Sequence, residues 1–127
     1  MRQSKRFKAL LRGDRAEVEA LGIVVVASSP IDQDAGSYVF GSPDAYTQAL
    51  EDILTGSIKE VATPHQGDIA VYTDGQDNVI HVGKAVQKER IVVFSTITGS
   101  PFVIEHEPIL VPTDVPGRIY LTWYRRE

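Results

Sequence analysis

"VIHVGKAVQKERIVVFS", Val79 to Ser95, holds the pattern that decides the fold class. Two short runs rich in β-branched residues are separated by the polar link "QKE", 87 to 89. Branched side chains are stiff and fit a pleated surface, so both runs predict strands. A link this short joins only antiparallel neighbours, because a parallel crossover needs a dozen residues or more. The pattern repeats on either side, in "DIAVY" (68–72), "FVIEH" (102–106) and "RIYLTWY" (118–124). The connections "DGQDN", "TGSP" and "PTDVPG" carry turn residues. Residues beyond 65 therefore predict a meander of about five antiparallel strands, a common sheet size.

Upstream the periodicity is helical. Ser4 is placed to cap a basic helix bearing Phe7, Leu10 and Leu11, and Asp14 with Glu17 has the spacing of a capping box that Gly22 closes. "RGD", 12 to 14, matches an adhesion tripeptide but reads as the turn between these helices, with Asp14 as the cap. "IVVVASS", 23 to 29, fits either a buried strand or a packed extended segment. After the loop "SSPIDQD", a helix is expected from about Gly36. A further one is expected after Ser42–Pro43, with Tyr46, Ala49, Leu50, Ile53 and Leu54 on one face, and Gly56 as its stop. Helices first and strands afterwards define a single α+β domain over 1–127, its helices packed on one face of the sheet.

Composition narrows the function classes. Hydrophobic residues make up 43% and charged residues 24% of the 127, as in ordinary globular domains. A net charge of -4 argues against a nucleic-acid partner, which requires a positive surface. No apolar run reaches bilayer length and no secretory leader pattern is present, so neither a membrane nor a compartment is indicated, with the cytoplasm as default or delivery as part of a larger effector. Without cysteine there is neither a disulfide framework nor a thiolate metal site, and the three histidines lack zinc-binding spacing, so no cofactor is expected. "TDGQDN", 73 to 78, lacks the closing glutamate of a calcium loop and reads as a hairpin turn. Trp123, Tyr120 and Tyr124 read as core and rim of the last strand.

Alternation along the first run puts Val79, His81, Gly83 and Ala85 on one face, and Ile80, Val82 and Val86 on the other. His81 thus shares its face with small residues that leave room beside the imidazole. A strand histidine is ordinarily a hydrogen-bonded packing residue, and His65 and His106 have weaker individual claims to chemistry.

Three blocks together change that balance. "SSPIDQDAGSYVF" (28–40), "HQGDIAVY" (65–72) and "IHVGKAV" (80–86) resemble, in order, the nucleophile region, the Gly-Asp strand and the histidine strand of the NlpC-type, papain-like cysteine hydrolases. The resemblance covers residues 28 to 95, and "EHEPI" downstream resembles a segment of related amidase-like domains. The resemblance implies a papain-like fold with the nucleophile at position 35, His81 as base and Ser95 or His106 as the orienting residue. Ala35 stands where the family carries cysteine, and Ser37, turned about 200° away on a helix, is no substitute. A thiol at a helix start beside an imidazole is a thiolate nucleophile; alanine there retains shape without chemistry. The resemblance thus implies a cysteine hydrolase or acyltransferase of the peptidase or amidase kind, inactive as written, such as a disabled toxin or murein hydrolase. The alternative is a non-catalytic binding module using the same groove. Peptides or peptidoglycan-like molecules are the implied ligands, and an immunity or inhibitor protein the implied partner.

Overall fold

The computed structural model describes residues 5–30, 33–110 and 117–126. Two short helices, α1 (Lys5–Arg12) and α2 (Arg15–Ala20), are followed by strand β1 (Val24–Ala27) and a small hairpin, β2 (Asp34–Ala35) and β3 (Tyr38–Val39). Helix α3 (Pro43–Thr55) comes next. Strands β4 (Ile58–Val61), β5 (Ile69–Thr73), β6 (Val79–Gln87), β7 (Ile91–Ser95), β8 (Val103–His106) and β9 (Tyr120–Arg126) complete the chain. Ser4 and residues 31, 32 and 111–116, on which parts of the expected cap, loop and final turn fall, lie outside the described residues.

Local chemistry sets most boundaries. The Asp14 carboxylate accepts from the Glu17 N–H at 3.2 Å and starts α2. Pro43 opens α3, and Gly56, left-handed at φ 78°, closes it. The Asp74 side chain accepts from the N–H groups of Gln76 and Asn78 and shapes the β5–β6 turn, as its sequence indicated.

The sheet has seven strands rather than about five, in the order β1-β8-β7-β6-β5-β9-β4, and every described pair is antiparallel. Two departures from the expected meander matter. β1 and β4 extend it at the two edges, and β9 does not follow β8 but crosses to lie between β5 and β4. Its register sets Ala70 opposite Trp123 and Val61 opposite Trp123 on the other side.

Helices cover both faces, not one. Ile104 packs with Ala9 and Leu10 of α1 and Val18 of α2. Its neighbour Val103 packs with Ala45 and Ala49 of α3 and with Val71 and Val82. Adjacent residues of a strand point to opposite faces, so α1 and α2 lie on one side of β8 and α3 on the other. Within β6 the alternation also slips. Tyr72 pairs with His81 while Thr73 pairs with Val79, leaving Ile80 as an inserted residue. Val79 consequently packs toward the α3 cluster, and Ile80 joins Tyr72, Ala70 and Val93 on the other face.

Near the C-terminal strand, Asp68 is only 4% exposed at its side chain and receives both arms of Arg125 at 2.8 and 2.7 Å. Burial opposes ionisation of Asp68, but Arg125 and the His65 N–H outweigh it and hold the carboxyl below its ordinary range.

Candidate functional site

Register brings three of the four candidate residues together. Tyr72 lies opposite His81, Ser95 opposite Gly83, and His106 opposite Val93, so His81, Ser95 and His106 share the Tyr72 face of the sheet. Gly83 makes the close approach possible: a Cβ there would fall 2.4 Å from Val93 Cγ1. Ser95 Oγ and His106 Nε2 are 2.8 Å apart, and His106 Nδ1 lies 2.8 Å from the Glu107 carbonyl. Because a carbonyl only accepts, Nδ1 carries the proton and Nε2 accepts from the Ser95 hydroxyl. Burial lowers the pKa of His106 against the raising effect of the Glu107 carbonyl, so the neutral imidazole is favoured.

His81 is sealed rather than roomy. Its ring meets those of Tyr72, His106 and Tyr46 at centroid separations of 5.6, 6.1 and 6.4 Å, and the residue is 1% exposed. The space expected beside Gly83 and Ala85 is filled by these larger side chains. Burial, with a smaller contribution from His106, pushes the His81 pKa down to about 3. Its Nε2, like Thr96 Oγ1, has no hydrogen-bond partner among the described residues. Over this cluster passes the segment after β8, pinned by the Tyr72 hydroxyl donating to the Pro108 carbonyl at 2.7 Å.

Ala35 is elsewhere. The expected helix at Gly36 is a hairpin turn, with Gly36 at φ 60° and Ser37 at φ 85°, both left-handed as a two-residue link between twisted strands requires. Ala35 is 1% exposed and packs with Ile69, Val71 and Val82, which alternate with the residues of the His81 face. The hairpin is held by the Tyr38 hydroxyl donating to Asp52 at 2.5 Å and by Arg126 donating to the Gly36 carbonyl at 2.6 Å. That Tyr38 bond, with Gln48 and Arg126, lowers the Asp52 pKa despite burial. Helix α3 starts only at Pro43, so no unpaired helical N–H groups stand at residue 35. His65 is also remote in role: it is exposed and its N–H caps Asp68 at 2.7 Å.

Beside His106 lies a groove of about 670 Å³, running between α1 and the start of β1 on one side and the segment after β8 on the other. Phe7, Leu10, Ile23, Ile104, Ile109 and Leu110 form its apolar wall, and Arg6 stands at its rim. Sequence reading missed Tyr46 and Tyr72 as walls of the histidine cluster, although the aromatic end of "DIAVY" one strand before "IHVG" carried a signal for Tyr72. The groove had no such signal, since its residues come from distant parts of the chain. No described helix is long and apolar enough to cross a membrane. Comparisons with protein-family models, with curated proteins and with solved structures give no match to this chain.

Proposed function

We propose that this chain is a non-catalytic binding domain on an amidase-type scaffold, with the groove beside His106 as its ligand site. The observation that carries the reading is the placement of Ala35, buried in a hairpin on the sheet face that alternates with that of His81. Even a cysteine there would sit in apolar surroundings, which raise a thiol pKa, and in a strand rather than at the first turn of a helix, which would lower it. His81, with its pKa pushed down to about 3, is neutral near pH 7 and offers no positive charge with which to stabilise a thiolate. The NlpC-type resemblance accounts for the order of the three sequence blocks, and peptides and murein-type fragments follow from it as ligands to screen.

The test is Ala35→Cys. Iodoacetamide alkylation followed against pH is expected to be slow, with an apparent pKa at or above the ordinary ~8.5 and no change on adding His81→Ala. A depressed pKa that rises when His81 is removed would overturn the reading in favour of a cysteine hydrolase. One observation favours a second reading, acyl transfer by Ser95 with His106 as its base: the 2.8 Å bond between them, completed by the Glu107 carbonyl. In the same experiment a fluorophosphonate probe decides this. Labelling that disappears in Ser95→Ala supports the dyad, whereas the binding-domain reading expects none, because Ser95 is 0% exposed.

A further inference from the structure

We propose that the groove receives an aliphatic chain ending in a carboxylate, with the chain along the apolar wall and the carboxylate on Arg6. The proposal rests on the binding-domain reading and names its ligand class. Three features of the groove combine. Its volume of about 670 Å³ falls within the ordinary range of small-molecule sites. Its wall is built from Phe7, Leu10, Ile23, Ile104, Ile109 and Leu110, and two of these are left in solvent, Ile109 at 84% and Leu110 at 57% exposure. An alkyl chain covers such a wall without bringing polar groups that need partners, whereas a peptide backbone brings one donor and one acceptor per residue.

Charge selects the head group. Of the other ionised residues lining the groove, Arg90 is paired with Glu107, and Glu105 with Lys88. Among the described residues no carboxylate pairs with Arg6, so its guanidinium is the uncompensated charge at the rim. A planar guanidinium matches a carboxylate with two parallel hydrogen bonds.

Calorimetric titration of the whole chain with octanoate, decanoate, dodecanoate and tetradecanoate, each below its micelle-forming concentration, tests this. Affinity is expected to rise along the series by up to roughly fourfold per methylene. Arg6→Gln should weaken dodecanoate by about two- to fivefold, the range of an exposed ion pair, and remove most of its salt dependence. Ile109→Asp, at a position 84% exposed and therefore safe for folding, should abolish binding. Affinity that does not change with chain length overturns the proposal. So does dodecyltrimethylammonium binding as tightly as dodecanoate, or binding that survives Ile109→Asp. If an apolar peptide amide binds in the groove and the carboxylates do not, the carboxylate ligand is excluded while the binding-domain reading stands. That reading has its own separate test in the chemistry of a cysteine at position 35.

Discussion

A neutral imidazole enclosed by Tyr72, His106 and Tyr46 makes His81 a group that folding denies a proton. Its folded pKa of about 3 lies below the ordinary 6.5, so the unfolded chain takes up a proton over that interval while the folded chain does not. Stability conferred by a depressed pKa is present above the unfolded value and is lost as pH falls toward the folded one. The loss therefore begins near pH 6.5, at a slope approaching about 1.4 kcal/mol per pH unit for one fully excluded proton. His106, also lowered, adds to the same window. Asp52 and Asp68 act in the same direction but only near and below the ordinary carboxylate value of 3.8. His81→Phe keeps a ring in the cage and removes both the titration and the unpartnered Nε2. The variant is expected to match or exceed the parent near neutrality and to lose less stability on acidification, as read from urea midpoints between about pH 7 and about pH 5. Parallel curves for parent and variant would show that the proton uptake lies elsewhere.

At the scale of elements, the β2–β3 hairpin depends on one residue without a side chain. Gly36 has φ 60°, and a Cβ there would lie 2.5 Å from Ile69 Cδ1, so Gly36→Ala combines backbone strain with overpacking of the β5 end. A cost of about 1–3 kcal/mol is expected. Gly75→Ala, with nothing within 4 Å, should change stability by less than about 0.5 kcal/mol. Paired urea titrations of the two variants measure the difference. The hairpin was legible in principle, because Gly-Ser between Ala35 and Tyr38 is a two-residue hairpin link, but strands of two residues show no alternation and "GSYVF" carries apolar weight ahead of a real helix. β4 escaped notice for a related reason: in "IKEV" only Ile58 is buried. By contrast β5 to β8 were readable from their β-branched runs, and so was the grouping of His81, Ser95 and His106 on neighbouring strands. The three rings around His81 and the slip at Ile80 depend on pairing register, which a single strand's sequence does not carry.

For the whole molecule the decisive feature is the position of β9. It bonds to β5 through Ile69–Thr73 and to β4 through Ile58–Val61, so it closes the sheet from inside instead of adding to an edge. It also supplies Arg125 to buried Asp68 and Arg126 to Asp52 and the Gly36 carbonyl. A chain ended after Ile119 is therefore expected to lose cooperative unfolding and near-ultraviolet circular dichroism, because β4 is detached and Asp68 is left buried without its cation. Retention of a sharp transition would show that the remaining strands fold without it. The adjacent strands β5 to β8 form local antiparallel pairs, whereas β4 and β9 are joined across about half the chain. During synthesis, β4 and β5 emerge from the ribosome well before their shared partner exists and must wait with unsatisfied edges until residue 126 clears the exit tunnel. Such edges invite pairing with neighbouring nascent chains on the same message. For this protein, the delay between the emergence of β4 and that of β9 thus sets how long each copy stays vulnerable.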